Sequence, residues 1–81
     1  MIREWFVLQG RLKHDREDPE TAELQVGGSW QDQMSLAAWQ DPRLRIEALE
    51  TFRDPALDDP LYPSPYDKWQ MVRRTEEVLD E

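Results

Sequence analysis

One histidine, three serines and no cysteine are a thin supply of catalytic side chains for a chain of 81 residues. His14 heads the polar stretch His14-Asp15-Arg16-Glu17-Asp18-Pro19-Glu20. A general base needs a positioned partner and a shielded pocket, and nothing near His14 in sequence supplies either. No serine sits in a Gly-x-Ser-x-Gly elbow, and Gly27-Gly28 is a turn signal rather than a phosphate-cradling loop. The missing cysteines exclude disulfides, thiolate nucleophiles and cysteine zinc sites, and suit a reducing, cytoplasmic compartment. Carboxylates are the one abundant ligand type. Asp15, Glu17, Asp18 and Glu20 could meet a hard cation through oxygen, but a calcium loop alternates its ligands around a central glycine, and Arg16 and Pro19 stand there instead. Asp54, Asp58 and Asp59 lie in no recognisable metal loop either. Both groups are expected to be solvated acidic surface, and no enzyme activity, metal or cofactor is expected.

Charge decides the class of partner. Ten Lys and Arg against 18 Asp and Glu give a net charge of -8, with -9 carried by residues 14–67 alone. Nucleic-acid binding draws on clustered positive charge to displace counterions. The one dense basic group, Lys68, Arg73 and Arg74, is followed by Glu76, Glu77, Asp80 and Glu81. Direct nucleic-acid binding and adhesion to an anionic membrane are therefore not expected. No apolar run approaches the roughly 18 residues that a bilayer span requires. Met1-Ile2-Arg3-Glu4-Trp5 does not read as a signal peptide, because Glu4 interrupts it and no small-residue cleavage site follows.

What rises above background is aromatic residues beside acids. The chain holds four Trp, two Phe and two Tyr, and Trp, Tyr and Arg are the residues that most often anchor protein interfaces. Trp30 and Trp39 would face opposite sides of one helix, so a thin core cannot take both from it. The segment Pro60-Leu61-Tyr62-Pro63-Ser64-Pro65-Tyr66 is stiffened by proline and loses little entropy on docking. It holds Pro-x-x-Pro only at 60–63 and without a flanking basic residue, so it makes a poor SH3-type ligand. Trp39, Tyr62, Tyr66 and Trp69 are the candidate aromatic anchors, with Asp54, Asp58 and Asp59 as charge contacts. The bland alternatives are that each tryptophan belongs to the core, where Trp is usually found, and that the proline-rich segment is only a strap across the domain.

The elements that must position these residues read as one α+β domain of 81 residues. Residues 2–13 alternate as a strand, with Ile2, Phe6, Leu8 and Leu12 on one face. Trp5 and Val7 on the other face suggest cover on both sides at one end. Residues 14–20 read as a loop, and 21–26 alternate with Ala22, Leu24 and Val26 inward. The two strands make an antiparallel β-hairpin over 2–26, which cannot stand alone in water and needs helical cover. Ser29 with Asp32 resembles a capping box, and Trp30, Met34, Ala37 and Ala38 fall at helical spacing, so 30–40 is expected as a helix. Asp41-Pro42 is a helix start, and Leu44, Ala48, Leu49 and Phe52 make a stripe over 42–53. A third strand competes there, because Arg43-Leu44-Arg45-Ile46-Glu47-Ala48 also alternates. Residues 54–65 form a proline-rich connector, or strap. Ser64, Pro65 and Asp67 then predict a C-terminal helix over 65–79, with a thin stripe of Trp69, Val72 and Leu79 and acids at the wrong end for its dipole. The fold expected is thus a hairpin packed against two or three helices. Four Asp-Pro steps, at 18, 41, 54 and 59, reuse one turn solution and lack the sustained period of a repeat protein.

The function expected is a small acidic, non-enzymatic module that binds, and inhibits, a larger protein with a basic surface, as a nucleic-acid-binding enzyme would offer. Spaced carboxylates can stand in for phosphates, and charge complementarity speeds encounter. The alternative is a structural subunit or assembly factor of a virion or multisubunit enzyme, against which the polar composition argues, since obligate interfaces are more apolar. Brevity, acidity and scarce catalytic groups would suit a phage-encoded, host-directed protein, an analogy of type that carries no motif.

Overall fold

The computed structural model describes residues 1–54, 61 and 63–79. Its centre is β1 (Ile2–Leu12), an eleven-residue strand with a buried run at Val7, Leu8, Gln9 and Gly10. A strand reads this way when it is flanked on both edges and screened on both faces. β1 lies in the middle of a three-stranded antiparallel sheet of order β4-β1-β5, with β4 at Trp30–Met34 and β5 at Tyr66–Glu77. Leu8 and Leu12 are the fully buried side chains of the core, 0% and 1% exposed.

β1 and β5 pair from Ile2↔Glu77 to Leu12↔Tyr66, and the register slips once, between Arg11 and Leu12, so that Asp67 is an extra residue. β1 and β4 pair from Arg11↔Trp30 to Leu8↔Met34, with a slip that leaves Gln33 extra. Such bulges bend a strand and re-aim its side chains. The upper half of β1 has no β4 beside it, and side chains satisfy its edge instead. Gln40 Nε2 donates to Glu4 O at 2.8 Å and Ser35 Oγ to Phe6 O at 2.6 Å.

Between β1 and β4 the chain makes a small ribbon, β2 (Arg16–Glu17) against β3 (Leu24–Gln25). The turn between them is closed by Asp18 N–H to Glu23 O and Ala22 N–H to Asp18 O, both 2.8 Å, with Ala22 at a φ of 58°. Ala22 is therefore a turn residue, not an inward strand position, and Leu24 and Val26 are 69% and 57% exposed. The expected hairpin of 2–13 with 21–26 is not formed, because β1 takes β4 and β5 as partners.

A short 3-10 helix (Ala37–Gln40) and α1 (Pro42–Arg53) cover one face of the sheet. α1 starts as its sequence dictates. Asp41 is the N-cap, its side chain accepting from Arg43 N–H at 2.9 Å, and Pro42 takes the first turn, where a missing N–H costs nothing. Arg45 joins three elements: Nη1 donates to Trp39 O at 2.6 Å while the guanidinium lies 3.8 Å from the centre of the Phe6 ring. Trp39, 4% exposed, is buried in the core.

Two expected helices are strands. Residues 30–34 pair with the lower half of β1, and the helical spacing of Trp30 and Met34 extends only into the 3-10 turn. Residues 66–77, expected as a helix from the Ser64-Pro65-Asp67 start, form the longest strand. Their stripe is too thin to bury a helix, since Arg73 and Glu76 interrupt it, whereas pairing at eleven positions along β1 bonds the inward-facing N–H and C=O groups of a strand. Ser64 still serves the backbone, its Oγ accepting from Tyr66 N–H at 3.2 Å. One α-helix and one 3-10 helix, rather than two or three α-helices, stand against an antiparallel sheet among the described residues.

Candidate functional site

The face of the sheet that meets α1 carries Phe6, Leu8, Gly10 and Leu12 from β1, and the register sets Gly10 opposite Trp69. Gly10 is where two aromatic rings lie on β1. A Cβ at this position would stand 2.6 Å from Tyr66 Cγ and 3.1 Å from Trp69 Cζ3, so the absence of a side chain lets the rings lie against the strand. Tyr66 and Trp69 meet with ring centres 5.2 Å apart, and Phe52, in the last turn of α1, meets Trp69 at 4.9 Å. Tilted contacts at such distances suit the aromatic quadrupole.

Polar groups fix this cluster. Arg53 Nη2 donates to Trp69 O at 2.9 Å, tying the end of α1 to β5. Arg16 lies 5.4 Å from the Tyr66 ring centre, with Nη2 donating to Tyr66 Oη at 3.0 Å, and its Nε holds Gln25 Oε1 at 2.8 Å. The β2-β3 ribbon is thereby joined to the aromatic cluster. At the bulge, Arg11 and Asp67 form a two-pronged pair, Nε to Oδ1 at 3.1 Å and Nη2 to Oδ2 at 2.9 Å. The hydrogen bonds from Arg11, and secondarily its charge, hold the Asp67 carboxyl below the usual range.

Beside the cluster, the described residues line a cleft of about 990 Å³. Phe52, Tyr66 and Trp69 give it an aromatic side, and Lys13, Arg53 and Lys68 border it. Asp54 and Asp67 line it as well, so its border carries charges of both signs. Aromatic faces with interleaved charges can hold an apolar or aromatic side chain and pair with charges flanking it.

Of the residues singled out from sequence, Asp54, Tyr66 and Trp69 come together at this cleft. Trp39 does not, because its ring is in the core. Tyr62, Asp58 and Asp59 lie outside the described residues. Sequence reasoning missed Phe52, Arg53, Lys13 and Lys68 as neighbours of the site. Gly10 was the available signal, since a lone glycine inside a strand marks a close approach. His14 is exposed in the turn after β1.

On the opposite face of the sheet a polar chain crosses all three strands. Gln70 Nε2 donates to Gln9 Oε1 and Gln9 Nε2 to Asp32 Oδ1, each at 2.7 Å, and Arg74 Nη2 reaches the same Asp32 oxygen at 3.1 Å. Gln9, 8% exposed, is thus satisfied at both ends of its amide. Among the described residues no group of three or more His, Asp or Glu is arranged to hold a metal ion, and no helix is long and apolar enough to cross a membrane. The chain matches no protein-family model, no curated protein and no solved structure.

Proposed function

We propose that this protein is a non-enzymatic binding module that holds a segment of a larger protein in the cleft beside Phe52, Tyr66 and Trp69. The observation that carries the proposal is the tilted aromatic cluster next to a cleft bordered both by cations and by the carboxylates of Asp54 and Asp67. A polypeptide presents apolar side chains, both signs of charge and backbone polar groups, and suits such a rim. A phosphate polymer would meet Asp54 and Asp67 on the same border as the cations and gain little from counterion release. Trp, Tyr and Arg are the side chains that most often dominate binding energy, and all three border this cleft.

Affinity capture from the native cell lysate tests the proposal when the intact protein is run beside two cleft variants, Phe52→Ala and Lys68→Glu. Each variant is first shown to be folded by its circular dichroism and melting curve. A protein retained by the intact chain and lost by both variants is the expected result. A protein retained equally by all three, or retention of nucleic acid alone, would overturn it.

A further inference from the structure

The outer edge of β5 points to a second copy of this chain as its partner. We propose that the protein self-associates by antiparallel pairing of β5 with β5 of another copy, with the two-fold axis at Thr75.

The direction of the backbone groups follows from one pair. Met1 N donates to Val78 O at 3.1 Å and Val78 N to Met1 O at 2.7 Å, so Val78 turns both polar groups toward β1. The β1-β5 register runs without a slip from there to Arg11, and hydrogen-bonding direction alternates along an antiparallel strand. Met71, Arg73, Thr75 and Glu77 therefore turn their N–H and C=O groups outward. Trp69 has the same parity, and its carbonyl indeed faces out to Arg53. Among the described residues no strand pairs with this edge. A long edge of this kind is a template for another strand.

Charge selects the occupant and the register. β5 carries Asp67, Lys68, Arg73, Arg74, Glu76 and Glu77, so this edge is neutral in a chain of net charge -8. Around Thr75 the sequence reads Arg73-Arg74-Thr75-Glu76-Glu77. With Thr75 opposite Thr75 of the second copy, Arg74 faces Glu76 and Arg73 faces Glu77, twice over by symmetry. Opposite charges on directly facing positions stabilise a strand pair, and like charges destabilise it. Other centres fare worse. Arg73, Arg74 or Glu76 at the axis faces its own charge, Val72 there would pair Thr75 with the Trp69 backbone, whose carbonyl Arg53 already holds, and Met71 there sets Lys68 against Arg74. Gln70 at the axis would need the Trp69 carbonyl that Arg53 already holds.

The Thr75 register also sets Val72 against Val78 and Met71 against Leu79, which is 78% exposed in the single chain. Because only outward-facing residues can meet outward-facing residues, facing side chains share a face. The two sheets join as β4-β1-β5-β5-β1-β4 with both α1 helices on one side.

Sedimentation equilibrium tests this over a concentration series rising to about 1 mM, a range that reveals weak association. The expected mass rises from 9.7 kDa to twice that value and stops there. The double variants Arg73→Glu with Arg74→Glu, and Glu76→Arg with Glu77→Arg, should each stay monomeric, and an equimolar mixture of the two should recover the dimer. The Arg73→Glu with Arg74→Glu variant also removes surface ion pairs within the chain, Arg73 with Glu4 and Arg74 with Asp32. Thr75→Pro therefore serves as an independent block, since it removes an N–H that β1 does not use and leaves the β1-β5 ladder intact. A wild-type chain that stays at 9.7 kDa, assemblies larger than a dimer, or a folded Thr75→Pro that dimerises like wild type would each overturn the proposal.

Discussion

Replacing Gly10 by alanine tests whether the aromatic cluster depends on a bare patch of β1. In an ordinary strand the change would help, because glycine in a strand interior costs about 0.5–1 kcal/mol relative to alanine. Here the new Cβ would fall 2.6 Å from Tyr66 Cγ. That is about 1 Å inside the 3.5–4.0 Å optimum for two carbons. Tyr66 cannot easily give way, because the contact is at the root of its ring. The ring is also held by Arg16 and Trp69, and its backbone pairs with Leu12. Overpacking of this kind costs about 1–3 kcal/mol, which outweighs the backbone gain. Gly10→Ala should therefore lose about 1–2 kcal/mol net, read as a fall of about 4–8 °C in melting temperature per kcal/mol for a domain of this size. The decisive comparison is a double-mutant cycle in urea. In a Tyr66→Ala background the clash with the Tyr66 ring is gone and only the 3.1 Å approach to Trp69 Cζ3 is left, so Gly10→Ala should be close to neutral, with a coupling energy of about 1–3 kcal/mol. A stabilised Gly10→Ala single variant, or a coupling below about 0.5 kcal/mol, would refute the placement of Tyr66 over Gly10.

Further perturbations probe other parts of the structure. Asp41→Ala removes the side-chain cap on Arg43 N–H and should cost about 1 kcal/mol, visible as an earlier thermal transition with faster amide exchange at Arg43. Leu8→Ala empties the most buried core position and should cost about 2–5 kcal/mol, enough to broaden or abolish the cooperative urea transition of so thin a core. Gln9→Leu should destabilise by about 1–3 kcal/mol, because Gln70 and Asp32 lose the amide that bridges them. The Asp67 carboxyl, followed by NMR, should titrate below the ordinary aspartate range. Its folded value is depressed, so its stabilising contribution is present above the unfolded value and is lost as pH falls through the folded one. Arg11→Ala should raise the midpoint toward the ordinary range, and an unchanged midpoint would show that the pair is not formed in solution.

Some of this structure was legible in the sequence and some was not, and the division has physical causes. The strand at 2–12 shows in a period of two with extra apolar residues on the second face, the mark of a strand flanked on both sides. The start of α1 was legible because capping is local chemistry, and Asp41-Pro42 satisfies the first turn whatever surrounds it. β5 was not legible, since Ser64-Pro65-Asp67 is also a local helix start. What overrides it is a ladder with β1 across more than fifty residues of sequence, and no window along the chain contains that. β4 was missed for a similar reason, because Trp30 and Met34 sit at helical spacing but the backbone bonds belong to β1. Leu24 and Val26 alternated without a core to face, since the strand beside them is the two-residue β2. At the candidate site, Tyr66, Trp69 and Asp54 stood out as aromatic and acidic residues around the proline-rich segment. Trp39 stands out because one helix over 30–40 would set it opposite Trp30, yet it packs inside. Phe52 falls on the apolar stripe of α1 in the sequence, and its contact with Trp69 depends on α1 lying across β5.

The most direct test of the binding account is an NMR map of the isotope-labelled protein titrated with the partner recovered by affinity capture. Backbone and indole signals of Phe52, Arg53, Tyr66, Lys68 and Trp69 should shift together and saturate with one binding curve. Perturbation confined to the β2-β3 ribbon or to the outer face of α1, with the Trp69 indole unmoved, would contradict the assignment of this cleft as the binding site.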